Sequence, residues 1–417
     1  MKVLHIAASD IQGGASRGSY SLHKGLINSG IESLMLVAAK KSDDFTVIGP
    51  QTKIQKAVNS IKTRLDQIIL IKYPRRSSDM FSPALIPSQL AREVAKISPD
   101  IIHLHWVCDG FLRPETIRKF GDIPIVWTLR DMWALTGGCH YSQTCEKYHH
   151  SCGACPKLGS DMQNDLSRQV WTHKQKSWQH LNMTIVPISH WLAECASKSS
   201  LLKDKRIEVI HNALDESTYK PIAKNIARNI LNLDQNKNII LFGALNAVQD
   251  PRKGFQYLVS ALKKLSDEDI GKTTELVIFG SFEPQYPPQL GMKAHYMGVL
   301  HDDITLALAY SAADVMITPS TEEAFGKTAM ESLACGTPVV CFDTTGLKDI
   351  VEHKRNGYRA KCFSSDDLAQ GIIWVLEDKE RWLSLSQRGR EKVEIEFTLK
   401  AQAEKYLQLY EDILRIS

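Results

Sequence analysis

Two glutamates, Glu323 and Glu331, stand eight positions apart in residues 319–340, PSTEEAFGKTAMESLACGTPVV, with a glycine and a helix-forming stretch between them. The flanking apolar runs, 314–318 and 338–342, read as buried strands, so the stretch is a strand, loop, helix and strand. The carboxylates therefore bracket a helix start, where unpaired N–H groups and the positive dipole end favour an anion. A diphosphate suits the backbone of Phe325, Gly326, Lys327 and Thr328, and Glu331, one turn in, can accept hydrogen bonds from a sugar diol. Taken by themselves, two acids near a helix start are common. A second charged group lies upstream: after an apolar run at 238–243 comes Asp250-Pro251-Arg252-Lys253-Gly254. Two cations between a strand and a helix suit a diphosphate as well, and together these residues point to a nucleotide-sugar site.

Further polar groups close other strand-like runs. Residues 9–17, SDIQGGASR, put Gly13 and Gly14 before a helical pattern that ends at Gly30; the spacing is not G-x-G-x-x-G, so no dinucleotide fingerprint is present. Residues 101–106 end in His-Leu-His-Trp, where strand alternation places His103 and His105 on one face. Arg130 follows the run 125–129. Cys139, Cys145, Cys152 and Cys155 then fall within 17 residues. Cys152-x2-Cys155 is half of a zinc site, while Cys139-x5-Cys145 is a looser second half. A structural zinc on these four cysteines is the first expectation; free thiols, an iron–sulfur cluster and a redox pair stay open.

The elements that must position these groups alternate strand and helix. Strands are expected at 2–8, 33–38, 101–106, 125–129, 184–188 and 207–211, and again at 238–243, 275–280, 295–298, 314–318 and 339–342. This alternation implies an α/β protein with parallel sheets, in which ligands collect beyond the carboxyl ends of the strands. The expected organisation is a first Rossmann-like domain at 1–212, a linker at 213–229, a second Rossmann-like domain at 230–398, and a closing helix at 399–416 that packs back on the first domain.

At 417 residues with 43% hydrophobic and 24% charged residues, the composition is that of a globular protein with two large cores. The net charge of +4 and the lack of a recognisable module argue against a nucleic-acid partner. No apolar run approaches the ~20 residues that span a bilayer, and the first residues read as a strand and not as a signal peptide, so a cytoplasmic protein is expected. Nine cysteines without an export signal argue against a disulfide framework. Residues 51–76 carry seven Lys and Arg against Asp66 alone, with Ile54, Val58, Ile61, Leu65 and Ile68 at helical spacing. Such an amphipathic basic helix either packs its stripe on the domain or lies on an anionic membrane.

The Glu-x7-Glu pair, the glycine between its acids, the ACGTPVV that follows and the upstream Lys-Gly resemble the retaining glycosyltransferases of family 4, with GT-B architecture, over most of the chain. The subset with similar cysteine-rich loops takes part in capsule or exopolysaccharide (colanic-acid-type) assembly. The resemblance implies two domains facing across a cleft and a nucleotide-diphosphate sugar as donor. It further implies a saccharide or lipid-linked oligosaccharide acceptor, and transfer with retention without a catalytic metal. Glu323, Lys253, Arg252 and His105 become the expected catalytic groups. Gly14, Arg130, Gly280, Phe325, Gly326, Lys327, Thr328 and Glu331 become the expected donor-binding groups, with Glu331 at the ribose and residues 296–300 at the base. The chain departs from the family pattern at Arg130, where histidine is common, and at Ala244, where arginine is common; Arg252 is the substitute. A nucleotide-sugar epimerase, a phosphorylase and a non-catalytic sugar-binding partner are the competing readings.

Overall fold

A computed structural model describes residues 1–416, which divide into two compact units: Met1–His211 with the chain from Gln402 onward, and Asn212–Ala401. The first unit runs β1 (Lys2–Ser9), α1 (Gly14–Asn28), β2 (Glu32–Ala39), β3 (Val47–Ile48), α2 (Lys53–Ile68), α3 (Leu90–Ile97), β4 (Ile101–Leu104), β5 (Ile125–Leu129), α4 (Leu166–Trp178), β6 (Met183–Pro187), α5 (His190–Lys198) and β7 (Arg206–Ile207). The second runs α6 (Lys224–Ile230), β8 (Asn238–Gly243), α7 (Phe255–Ser266), α8 (Asp269–Lys272), β9 (Thr274–Phe279), β10 (Ala294–Tyr296), α9 (Asp303–Ala312), β11 (Val315–Thr318), α10 (Lys327–Ala334), β12 (Val339–Phe342), α11 (Leu347–Ile350), β13 (Gly357–Ala360), α12 (Ser365–Leu376) and α13 (Lys379–Glu396). Helix α14 (Leu399–Ile416) begins in the second unit and continues into the first.

Both sheets are parallel. Their orders are β3-β2-β1-β4-β5-β6-β7 and β10-β9-β8-β11-β12-β13. Every residue of β4, β5, β6, β9, β11 and β12 is buried, as strands covered on both faces require. Each order reverses once, between β1 and β4 in the first sheet and between β8 and β11 in the second. Those two reversals are where a ligand crevice opens beyond the strand ends. In the first unit, α14 buries Ala403, Tyr406, Leu409, Tyr410 and Ile413 in one cluster with Val3, Leu22, Ile101 and Val186.

Three expectations change in detail. The strand expected at 207–211 is only Arg206–Ile207, and β3 and β13 are additional short strands. Residues 213–229 are counted with the second unit, where Arg228 of α6 donates to the carbonyls of Ala312, Gln235 and Lys237 and pairs with Asp314 at 2.6 Å. Helix α2 turns its polar side inward. Asn59 Nδ2 donates to Ala38 O at 2.8 Å, Thr63 Oγ1 to Asp109 O at 3.0 Å, and the Asp66 carboxylate accepts from the N–H groups of Ala84 and Leu85. Its apolar stripe is left outside: Ile54 is 77% exposed, Ile61 54% and Ile68 53%. Among the described residues, no helix is long and apolar enough to cross a membrane.

Candidate functional site

In the second unit the loops after β8 and β11 meet at the point where the strand order reverses. After β8, Pro251–Lys253 form a single 3-10 turn in which the Asp250 side chain caps the Arg252 N–H. The turn closes at Gly254 with φ of 71°, and a Cβ there would come within 1.8 Å of Pro319 O. Only glycine permits that approach. Thr321 N donates to Arg252 O at 2.8 Å and fastens the two loops together. The consequence is an ion pair: Lys253 Nζ lies 2.6 Å from Glu323 Oε2, with the two side chains 21% and 15% exposed. The Glu323 backbone is fixed too, its N–H donating to Thr345 Oγ1 at 3.1 Å and its carbonyl accepting from Gly346 N at 3.0 Å. Arg252, the other expected cation, pairs at 2.6 Å with Asp250, which also accepts from the Arg252 N–H.

Helix α10 opens beside this pair. Its cap, Gly326, has φ of 109°, and a Cβ there would approach Leu347 Cδ2 to 2.5 Å. Among the described residues, no protein acceptor takes the N–H groups of Lys327 and Thr328, so these donors remain for a ligand. The Phe325 side chain is buried against Phe397, which leaves its backbone to line the loop. Glu331 is 4% exposed and already holds two partners: the Tyr310 hydroxyl donates to it at 2.8 Å, and Lys327 Nζ lies at 3.1 Å. Its remaining acceptor capacity is what a ribose diol can use. Gly280, after β9, has φ of 80° and its Cβ position is 1.9 Å from Ala244 O. The chain brings together Lys253, Glu323, Arg252 and the start of α10; Gly280 stands at the end of the neighbouring strand.

The first unit arranges its polar residues differently. Gly14 is the first residue of α1 and has open space where a Cβ would be. Arg130, at the end of β5, is 8% exposed and lies against α1, where a Cβ on Gly18 would meet its guanidinium at 2.4 Å. Burial lowers its pKa to about 10, so it is still a cation at neutral pH. His105 is 2% exposed; it belongs to a buried cluster and also lines a small cavity with Trp106, Arg130 and Asp131. His105 Nε2 and His5 Nδ1 are 2.8 Å apart; His103 bonds the Tyr410 hydroxyl at 2.5 Å and the Thr128 hydroxyl at 2.7 Å; Thr128 bonds Tyr406 at 2.6 Å. Burial, reinforced by charged neighbours, holds the pKa of all three histidines well below the usual value, so they are neutral. The Nε2 of His105 is spent on His5, and its Nδ1 is left without a hydrogen-bond partner. The alternation that puts His103 and His105 on one face was legible; that this face is covered by a helix some 300 residues later was not.

The cysteine loop also lies in the first unit. None of the four cysteines is in a disulfide, and all four line one cavity, with Cys152 and Cys155 buried and Cys139 and Cys145 partly so. Sequence reasoning passed over Lys174, which is fully buried in α4, donates to the carbonyls of Trp133 and Thr136, and lies 3.5 Å from the Trp133 ring centre. Burial draws its pKa down to about 7. It was hidden in a run of polar residues, HKQK, that looks like a solvated helix face. Tyr310 was missed for the opposite reason, since α9 is apolar nearly throughout.

Residues 12–218 match the family model described as Glycosyltransferase Family 4, and residues 223–392 match the model described as Glycosyl transferases group 1. An uncharacterised glycosyltransferase of Methanocaldococcus jannaschii is 29% identical over 238 residues, 54% of this chain and 58% of that one. The chain thus spans little more than half of that relative's length. The WcaC protein of Escherichia coli K12, whose name puts it provisionally among colanic acid biosynthesis glycosyl transferases, is 23% identical over 385 residues, 89% of each chain. Among solved structures, sucrose-phosphate synthase of Thermosynechococcus elongatus superposes with a TM-score of 0.69 at 19% identity, covering 100% of both chains. HepE of Anabaena, solved with UDP and glucose, gives 0.64 at 16% identity, covering 99% of this chain and 100% of that one. At such identities the structures speak to fold alone.

Proposed function

Because the chain belongs to the group 1 glycosyltransferases of family 4 and has the GT-B fold, we propose that it moves a sugar, with retention of anomeric configuration, from a nucleoside-diphosphate sugar to a saccharide or lipid-linked oligosaccharide acceptor in cell-surface polysaccharide assembly. The observation that carries the reading is the Lys253–Glu323 pair at the reversal point of the second sheet, beside the free N–H groups that open α10.

Breaking the bond between the anomeric carbon and the diphosphate leaves negative charge on phosphate and oxocarbenium character on the sugar. Lys253 and the N–H groups of Lys327 and Thr328 meet the charge on phosphate, each such donor supplying roughly 3 kcal/mol in the transition state. Arg252 supplies a second cation once it exchanges Asp250 for phosphate. Glu323 faces the donor sugar, and its bond to Lys253 keeps that ammonium in place before the donor arrives. Glu331 holds the ribose. A carboxylate pair that hydrolyses a glycoside flanks the scissile bond itself; here Glu331 sits a full turn into α10 and acts on the nucleoside. Arg130, beside the helix that Gly14 opens, is the first unit's cation for phosphate or for an acidic acceptor. No catalytic metal is assigned.

The acceptor side of the proposal rests on α2. Its exposed row of Ile54, Val58, Ile61, Leu65 and Ile68, edged by Lys53, Lys56, Lys62 and Arg64, suits the inner face of an anionic membrane. The enzyme would work there as a peripheral protein.

A thermal-shift screen of nucleotide sugars tests the donor site: at 100 times its dissociation constant, the right donor stabilises the fold by about 2.7 kcal/mol. Consumption of that donor only when a saccharide acceptor is added, with the anomer of the product fixed by NMR, supports transfer. Conversion of the donor with no acceptor present would replace transfer by epimerisation. Pelleting with anionic vesicles tests α2, and Ile61→Glu should abolish it while leaving transfer to a soluble acceptor within twofold.

A further inference from the structure

Within the second unit, Glu331 is fixed from two directions, and the two are not equivalent. Lys327, one turn earlier on α10, brings its ammonium to Glu331 Oε1 at 3.1 Å, but its side chain is 26% exposed. Water screens such a partner, and it can turn away. From the other side the Tyr310 hydroxyl donates to Glu331 Oε2 at 2.8 Å, and Tyr310 is 0% exposed. A buried carboxylate that accepts from a buried hydroxyl is held in one place, because parting would leave both groups unpaired where no water replaces the bond. Burial first, and then the charge of Glu331, keeps the Tyr310 pKa well above its ordinary value, so the hydroxyl stays a donor at neutral pH.

The fold places that hydroxyl with care. Tyr310 lies near the end of α9, and its carbonyl accepts from Thr337 Oγ1 at 2.7 Å. Thr337 follows α10 and is bound to it twice: its N–H donates to the Ser332 carbonyl at 2.9 Å, and Ser332 Oγ donates to its own carbonyl at 2.9 Å. The Tyr310 backbone is thus tied just past the end of α10, and its hydroxyl to the middle of the same helix. The ring meets Phe279, the last residue of β9, edge to face, with centroids 5.8 Å apart and planes at 87°. With no exposed surface of its own, Tyr310 reaches a ligand only through Glu331.

The geometry points to Tyr310 as the positioning residue that sets the Glu331 carboxylate for the ribose diol, and so makes the donor site select ribonucleotides over their deoxy forms. The inference rests on the reading of Glu331 as the group that holds the ribose. A carboxylate with one bond on each oxygen keeps about one further lone pair on each, and a vicinal diol offers two hydroxyls side by side. The two sets meet as a pair only if the carboxylate plane cannot turn. A site built this way rejects an analogue without the hydroxyls, because a buried acceptor is then left unpaired. A carboxylate loose on its side chain loses that discrimination.

Isothermal titration calorimetry on the full chain tests this with UDP, ADP and GDP, each against its 2′,3′-dideoxy counterpart. For a nucleotide that binds, the wild type should prefer the ribose form by about tenfold or more. Tyr310→Phe keeps the ring and its contact with Phe279. It should cut the preference to about threefold or less while the dideoxy affinity stays within about twofold. An equal loss for both forms, or an unchanged preference, overturns the role of Tyr310 and leaves the donor site standing. A wild type that binds both forms alike overturns it together with the ribose assignment of Glu331, and one that binds none of the nucleotides overturns it together with the donor site. Should Tyr310→Phe not fold, the Glu331→Gln/Tyr310→Phe double variant decides, since it leaves no buried carboxylate short of a donor. It should bind the ribose form as Glu331→Gln alone does, within about twofold; a further fall overturns the inference.

Discussion

The crevice-forming ends of the two sheets are built from the same grammar and use it in opposite ways. In the second unit, the loops after β8 and β11 turn charged side chains outward, and a single close approach, Gly254 against Pro319, brings Lys253 to Glu323. In the first unit, the histidines at the end of β4 turn inward: His103 and His105 are both under 10% exposed, and they spend their bonds on Thr128, Tyr410 and His5. A polar residue at a strand end is thus a candidate for chemistry only when the neighbouring element leaves that side open. Where a helix covers it, the same residue is a polar plug in the core, whose value is the specific packing it enforces.

That contrast can be broken in three ways. The largest effect is expected for Lys253→Ala, which removes a charged hydrogen bond of about 1.5–3 kcal/mol and should lower kcat/KM for transfer roughly 10- to 100-fold with the protein still folded. An unchanged rate would take Lys253 out of the site. Next comes pH. The buried histidines refuse protons that the unfolded chain accepts below about pH 6.5, so stability is fully present above that value and falls as the solution is acidified. Denaturant unfolding at pH 7.5 and 5.5 measures this, and His103→Gln should flatten the dependence. A pH-independent midpoint would mean the cluster is not closed to protons. The smallest effect is that of Tyr410→Phe, which deletes one neutral hydrogen bond to His103 and should cost about 1 kcal/mol of stability with kcat within twofold. A larger fall in kcat than in stability would return the cluster to the catalytic set.

Much of this contrast is legible in the sequence. The long apolar runs announced their strands because strands buried on both faces need no polar alternation, and the Glu-x7-Glu stretch announced its loop and helix. Short edge strands gave little signal: β13, GYRA, carries an arginine and a glycine in four residues. Helix α2 was legible as amphipathic, but which face met the protein was not, because Asn59, Thr63 and Asp66 anchor it by hydrogen bonds and leave the hydrophobic stripe outside. At the site itself, the pairing of Lys253 with Glu323 joins residues 70 positions apart and depends on a backbone contact at Gly254 that no local pattern encodes. The cysteine spacing was plain; that the four line one cavity, and that Lys174 is buried nearby, required the fold.

Helix α14 has a consequence for how the protein is made. Tyr406 and Tyr410 close the core around Val3, Ile101 and Val186, and their hydroxyls hold Thr128 and His103. A ribosome delivers all of residues 212–401 before it delivers those tyrosines. The second unit is contiguous and can condense as it emerges, while the earlier-made half must wait with an apolar face and three histidines uncovered until α14 arrives. The half that is synthesised first is therefore the half that finishes last, and the interval between the two is when it most needs a chaperone's cover.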